Sequence, residues 1–330
     1  MPQAAYDVLG IGNAIVDVIG QVSDDLLAKT GLAKGSMTLI DAGQAESLYA
    51  EMAQTVEVSG GSCANTMATM ASLGGRSAYI GRVHDDATGT IFGHDMRGVG
   101  VTFRSTPSRE GLPTARCLIF VTSDAQRTMA TYLGACVELS PSDIDEDLVT
   151  QAGITYLEGY LWDKPDAKAA CLKAADLAHK AGNRVALTLS DSFCVERWRS
   201  EFLDLIDEHV DILVANEGEI TALFPGASFD EAVKQVADRV AIAALTRGPA
   251  GCVVVDEDGA TAVAQDRIEN VVDTTGAGDA FAAGFLYGVS HDLGLPASAR
   301  LGNLAAGKVI TQYGARALGS LTELVAAAKA

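Results

Sequence analysis

Asp273-Thr-Thr-Gly-Ala-Gly-Asp279-Ala-Phe281 leaves an expected strand end at Val271-Val272 and enters an apolar helix over Ala280–Gly288. Two glycines around one alanine let the backbone turn tightly, and a helix that starts there presents unpaired N–H groups at Ala277, Gly278 and Asp279. With the positive end of the helix dipole, Gly276, Ala277 and Gly278 form a cradle for a transferring phosphoryl group. A carboxylate at the mouth of that cradle, Asp279, is placed to take a proton from a hydroxyl as it attacks. Four such residues alone would read as a capped turn. The whole nine-residue run favours the chemical reading.

The rest of the 330-residue chain is consistent with a soluble enzyme. It carries 24 Lys+Arg against 43 Asp+Glu, a formal charge of −19, with 48% hydrophobic and 20% charged residues. This is the composition of a globular protein with an ample core. Such acidity argues against nucleic acid or an anionic membrane as partner, because both need clustered Lys/Arg. The charge of an anionic substrate must be met locally. The six cysteines (63, 117, 136, 171, 194, 252) form no CxxC or metal-ligand cluster and read as isolated buried hydrophobes of a reducing compartment. Met1–Tyr6 has no basic, apolar leader character, so a cytoplasmic location is expected.

Apolar runs at Tyr6–Gly12, Ala78–Gly81, Cys117–Thr122, Ile154–Leu157, Val185–Leu189, Ile212–Ala215, Ile242–Thr246 and Cys252–Val255 read as strands. From Ile154 to Thr246 they alternate with helical stretches, which predicts an α/β, doubly wound, mostly parallel sheet flanked by helices. Residues of about 15–42 and 101–131 break the rhythm and are expected to form a small β-sheet lid within a single 1–330 unit. The C-terminal third, rich in Ala and Gly, reads as helices. Two other glycine patterns are decoys. Gly302-Asn-Leu-Ala-Ala-Gly307-Lys308 has P-loop spacing but continues into Val309 inside a helix, and Gly10-Ile-Gly12 lacks the third glycine of a dinucleotide site.

Asp273–Phe281 resembles the C-terminal signature of the ribokinase, or phosphofructokinase B, family of carbohydrate and nucleoside kinases. Gly60-Gly61-Ser62-Cys63-Ala64-Asn65 is similar to the N-terminal motif of that family. The resemblance runs from about Tyr6 to Ala317 and implies ATP-dependent phosphorylation of a primary hydroxyl, with magnesium. It implies acceptor binding by Asn13, Asp17, Gly60, Gly61 and Asn65. Asn216 and Glu219 resemble the NxxE motif that orders magnesium, with the ion held through water at Glu219. Thr246, Arg247, Gly248 and Gly251 resemble the loop around the nucleotide phosphates, to which Thr275 and Asn303 are added. Asp273 and Thr275 keep part of a monovalent-cation (potassium) pattern, whereas Gln312 and Leu318 depart from it.

Within the family the chain looks most like the adenosine kinase branch, through Gly12–Val18, Leu187–Phe193 and Arg116–Cys136 with its Asp124-Ala-Gln-Arg127 turn. That likeness implies a base-stacking aromatic at Tyr160, an apolar slot completed by Leu133 and Leu39, and Arg127 carried on the lid to close over the phosphates. Adenosine, giving AMP in purine salvage, is the expected acceptor. Ribose, fructose or 2-keto-3-deoxygluconate would keep the same chemistry, and a catalytically silent nucleotide-binding protein is the alternative of a different class. Lid strands pair between subunits in sugar-kinase relatives and stand alone in adenosine kinases. A monomer is expected here over a dimer.

Overall fold

The computed structural model describes residues 4–124 and 126–329. The leader reading falls partly on residues 1–3 and the turn at 124–127 contains Ala125, so both extend outside the described residues. In chain order the strands are β1 (Tyr6–Ile11), β2 (Ile15–Gln21), β3 (Met37–Leu39), β4 (Thr55–Gly60), β5 (Ser77–Ile80), β6 (Thr102–Phe103), β7 (Ala115–Val121), β8 (Arg127–Tyr132), β9 (Ala152–Glu158), β10 (Arg184–Thr188), β11 (Ile212–Asn216), β12 (Ile242–Thr246), β13 (Cys252–Asp256) and β14 (Gly259–Val263). The helices are α1 (Asp24–Thr30), α2 (Ala42–Glu51), α3 (Ser62–Ser72), α4 (Ala87–Gly98), α5 (Glu146–Gln151), α6 (Pro165–Lys180), α7 (Ser192–His209), α8 (Glu217–Leu223), α9 (Phe229–Ala237), α10 (Ala277–Ser290), α11 (Leu295–Val309) and α12 (Thr322–Ala328).

Among the described residues a nine-stranded sheet runs β14-β13-β12-β11-β10-β9-β1-β5-β6, parallel except for β13 and β14 at one edge. Its strands are apolar on both faces because helices cover both. Side chains alternate across it: Val8, Tyr156 and Ala186 enter one core with Phe281 and Phe285 of α10, while Leu9, Leu157 and Leu187 enter the other with α6 and α7. Helix α10 is buried around most of its circumference, from Ala280 to Val289, as its nearly uninterrupted apolar sequence requires. The decoy at Gly302–Lys308 lies inside α11. All six cysteines are free and buried. Among the described residues no helix is long and apolar enough to cross a membrane.

A second, five-stranded sheet runs β3-β8-β7-β2-β4. Its composition differs from the sequence expectation in two places. β6 pairs with β5 at the edge of the large sheet, and the second sheet recruits Thr55–Gly60, outside both expected stretches. Glu57 and Ser59 interrupt the apolar character of that strand, which hides it in the sequence. Val271-Val272, expected as a strand end, is irregular and exposed. The large sheet has already ended at β14, so the pair finds only the Ile310 carbonyl, to which the Val272 N–H donates at 2.8 Å.

Candidate active site

The parallel strands bring their C-terminal ends to one edge, where open α/β sheets bind ligands. Asn13 follows β1, Glu158 ends β9, Asn216 ends β11 and Thr246 ends β12. Helix α10 starts beside them. Its first turn forms because Gly276 adopts φ +77°, a left-handed conformation that is costly for any side chain, and because a Cβ there would lie 2.3 Å from the Ala315 carbonyl oxygen. The cradle is narrower than the sequence suggested. Of the three amides at Ala277, Gly278 and Asp279, that of Ala277 is already donated to the Thr274 carbonyl at 3.2 Å, which leaves those of Gly278 and Asp279 free among the described residues.

Asp279 does not cap its own helix. Its carboxylate accepts from Ser62 Oγ at 2.6 Å and from Asn65 Nδ2 at 3.1 Å, both on α3. Burial pushes this carboxyl above its ordinary range, against the pull of the Ser62 and Asn65 hydrogen bonds and of the Arg316 charge. Asn65 is less versatile than expected, because its Oδ1 accepts from Arg316 Nε at 2.9 Å. One Nδ2 hydrogen and one Oδ1 lone pair of Asn65 remain for a ligand.

Asp17, on β2, leans over the glycine pair: a Cβ at Gly60 would lie 2.4 Å from the Asp17 carboxylate. Among the described residues no group donates a hydrogen bond to that carboxylate, which leaves it open to ligand hydroxyls. Burial pushes it up to about 6; Arg316 and Arg127 pull it down, and Asp279 repels it. Strand register sets Asp17, Cys117, Thr131 and Leu39 side by side across β2, β7, β8 and β3. Ile15 lies two residues before Asp17 on the same strand face, and Leu133 follows β8 two residues after Thr131. Tyr160 lies in a 3-10 turn (Gly159–Asp163) after β9 and is 40% exposed. Burial and the surrounding carboxylates of Asp191, Glu158, Glu219 and Asp279 hold its hydroxyl protonated.

On the other side of the α10 start is a cavity of about 590 Å³, whose lining includes Thr246, Gly248, Gly251, Gly278, Phe281 and Asn303. Asn303 is structural as well, donating to the carbonyls of Val263 and Ala264. Arg247 does not line this cavity. Its guanidinium donates to Glu217 at 3.2 Å and lies 4.3 Å from the Phe229 ring centroid, because an exposed arginine beside a carboxylate and an aromatic face satisfies both. Asn13 is also turned inward. It is buried and donates its backbone and side-chain N–H groups to Glu158, which accepts Cys63 N–H as well, so this carboxylate ties the end of β1 to the start of α3.

The cation expectations meet a mixed environment. Asp273 accepts from Thr275 N–H (3.0 Å), Thr275 Oγ1 (2.7 Å) and Gly314 N–H (2.9 Å), and pairs with Arg127 at 3.0 Å. Burial pulls its carboxyl up, but the Thr275 and Gly314 hydrogen bonds and Arg127 outweigh that and hold it below its ordinary range. A carboxylate with these donors and a guanidinium does not fit a direct monovalent-cation ligand, and Arg127, expected over the phosphates, is paired here with Asp273. Glu219 is buried, its two oxygens accepting the Asn216 N–H (3.0 Å) and Nδ2 (2.5 Å) in a reciprocal helix cap. Burial, with repulsion from Asp191 and Asp279, pushes Glu219 up to about 7. Among the described residues no three His, Cys, Asp or Glu side chains are grouped to hold a metal directly. Both Glu219 oxygens are taken by Asn216, and Asp191 and Asp279 are near enough to repel Glu219, so a cation here would be met through water and not by Glu219 directly.

Burial also pushes Glu158 up to about 7. Glu158, Glu219 and Asp17 thus bind protons more tightly folded than unfolded. Their stabilisation is full below about pH 4 and is lost as pH rises through 6 to 7. The melting temperature is expected to be higher at about pH 5.5 than at pH 8, measured by circular dichroism. A melting temperature that rises over that interval would contradict these assignments.

Residues 24–322 match the model of the pfkB family carbohydrate kinases. The chain belongs to the pfkB family of carbohydrate kinases. As a pfkB kinase it is a phosphotransferase that uses ATP and a small-molecule acceptor. Its structure is similar to that of a probable sugar kinase protein from Rhizobium etli CFN 42 (TM-score 0.90, 48% identity, 98% of this chain and 99% of that one). It is also similar to adenosine kinase from Sinorhizobium meliloti (TM-score 0.88, 52% identity, with the same coverage). Among curated proteins, 5-dehydro-2-deoxygluconokinase of Geobacillus kaustophilus is 29% identical over 267 residues, 77% of this chain and 79% of that protein. The large parallel sheet with a second smaller sheet is the ribokinase-like fold that the sequence predicted. Arg316, Ser62, Glu158 and Asp95 were absent from the sequence-derived site. Ser62 lies inside the quoted glycine motif, and Glu158 is a lone carboxylate ending an apolar strand.

Proposed function

We propose that this pfkB kinase transfers the γ-phosphate of ATP to the primary hydroxyl of a nucleoside, adenosine above others, giving AMP. The carrying observation is the position of Asp279: its helix start is shared by the cavity at Thr246–Gly251 and by the cleft of Asp17, Gly60 and Asn65. The cavity takes the nucleotide, with the amides of Gly278 and Asp279 meeting the migrating phosphate. Asp17 accepts hydrogen bonds from the ribose hydroxyls, Asn65 donates to the acceptor, and Asp279 takes the attacking hydroxyl's proton. Magnesium, held through water by Glu219, would neutralise phosphate charge. The five-stranded sheet acts as the lid that excludes water, and the monomer is the working unit.

A nucleoside is favoured over a free sugar because Asp17, whose carboxylate accepts no hydrogen bond among the described residues, lies in a row with Cys117, Thr131 and Leu39. A ribose at Asp17 places an attached base along that row. The 52% identity to the S. meliloti adenosine kinase supports the same acceptor. The likeness to the R. etli probable sugar kinase and to 5-dehydro-2-deoxygluconokinase favours a carbohydrate acceptor as the second reading. ADP release with adenosine, guanosine, inosine, ribose, fructose and 2-keto-3-deoxygluconate decides. Adenosine is expected to exceed the free sugars in kcat/KM by about 10²-fold, the scale of discrimination one apolar pocket supplies. Turnover of a sugar alone would overturn the nucleoside assignment, and no turnover with any acceptor would favour a silent nucleotide-binding protein.

A further inference from the structure

Arg316 is bound to the same Asn65 that donates to the candidate base, and no sequence motif points to it. It lies in the loop between α11 and α12, two residues beyond Gly314, whose N–H holds Asp273, and next to Ala315, against which Gly276 is pressed. Its side chain is 18% exposed and donates from Nε to Asn65 Oδ1 (2.9 Å) and from Nη1 to Ser59 Oγ (2.8 Å), with Asp95 Oδ2 at 3.5 Å. Asp95 also accepts the Ser59 N–H at 2.8 Å and the Ser59 hydroxyl. One side chain therefore joins α3, the second-sheet strand β4, helix α4 and the loop behind the transfer cradle.

The chemistry of these groups fixes one orientation of Asn65. A guanidinium can only donate, so the Asn65 atom facing it is the carbonyl oxygen; an ionised carboxylate can only accept, so the atom facing Asp279 is the amide nitrogen. Flipping the amide would set donor against donor at Arg316 and acceptor against acceptor at Asp279. We propose that Arg316 is a positioning residue for phosphoryl transfer: it locks the Asn65 amide so that it donates to Asp279, and ties that lock to Ser59 on the lid strand. The base is then held in line with the acceptor when Ser59 and Asp95 are in place. Removing Arg316 takes away one of the two contacts that hold the amide and lets it turn away from the base.

This inference rests on the kinase reading, and the test separates the two. ADP release by the wild-type chain with the acceptor panel comes first, and an inactive wild type overturns both. In an active enzyme, Arg316→Gln is expected to lower kcat by about 30-fold or more while the KM for ATP stays within about 3-fold, since no ATP-cavity residue is touched. Asn65→Ala lowers kcat on its own. Adding Arg316→Gln to Asn65→Ala is expected to lower it by less than about 3-fold further, because Arg316 acts through Asn65. Arg316→Lys keeps the charge but not the fork, and is expected to fall between the wild type and Arg316→Gln. A kcat for Arg316→Gln near wild type, or an equal loss with and without Asn65, would overturn the inference. Should Arg316→Gln fail to fold by circular dichroism, the same cycle run with Arg316→Lys decides by the same criterion.

Discussion

Asp279→Asn is expected to lower kcat by at least ~10²-fold, as removal of a general base does. The substitution keeps the shape of the side chain, and the Ser62 hydroxyl can still donate to its carbonyl oxygen, while its amide nitrogen then faces the Asn65 nitrogen, donor against donor. It removes the one group at the α10 start able to accept the acceptor's proton. The free amides of Gly278 and Asp279 are backbone and persist, so the KM for ATP is expected to change by no more than about 3-fold. The melting temperature is expected to change little, because relief of the buried charge of Asp279 offsets the lost Asn65 hydrogen bond. Steady-state ADP release with a parallel melting curve checks both halves. Near-normal turnover would remove Asp279 from its role, and a large fall in melting temperature would recast it as a structural cap.

Gly276→Ala is expected to damage the enzyme by a different route. The position sits at φ +77°, where a side chain costs about 1–2 kcal/mol. The new methyl would also lie 2.3 Å from the Ala315 carbonyl oxygen and 2.6 Å from its Cα. Ala315 has little freedom to retreat, because Gly314 before it is bound to Asp273 and Arg316 after it to Asn65 and Ser59. Overpacking of that kind adds about 1–3 kcal/mol. The relief open to the chain is to shift the first turn of α10, which carries the cradle amides and Asp279 together. A kcat lower by about 10²-fold and a melting temperature lower by several degrees are expected, read by turnover and calorimetry. A variant as active and stable as the wild type would show that the cradle does not depend on this turn.

The parts of the site legible in the sequence are those in which one local segment carries both the backbone geometry and the reactive group. Asp273–Phe281 and Gly60–Asn65 are of this kind, and the structure brings them together through Asp279, Ser62 and Asn65. Asp17 was legible because it follows the first strand closely. The misreadings concern side chains whose direction depends on distant partners. Arg247 sits in the expected loop but satisfies Glu217 and Phe229. Asn13 sits at the expected turn but gives its donors to Glu158, 145 residues away. Arg316 reaches Asn65 across 251 residues, and no local periodicity encodes such a pairing. The only hint was a lone arginine in a glycine- and alanine-rich loop. β4 was missed for a related reason: its polar Ser59 and Glu57 are explained by Asp95, Arg316 and Tyr49, which only the folded chain supplies.

The most direct test is a structure with adenosine and a non-hydrolysable ATP analogue bound together. The primary hydroxyl is expected within hydrogen-bond distance of the Asp279 carboxylate, the ribose hydroxyls on Asp17, and the terminal phosphate at the amides of Gly278 and Asp279. An acceptor hydroxyl lying away from Asp279, or a terminal phosphate bound elsewhere than the start of α10, would contradict the proposed transfer.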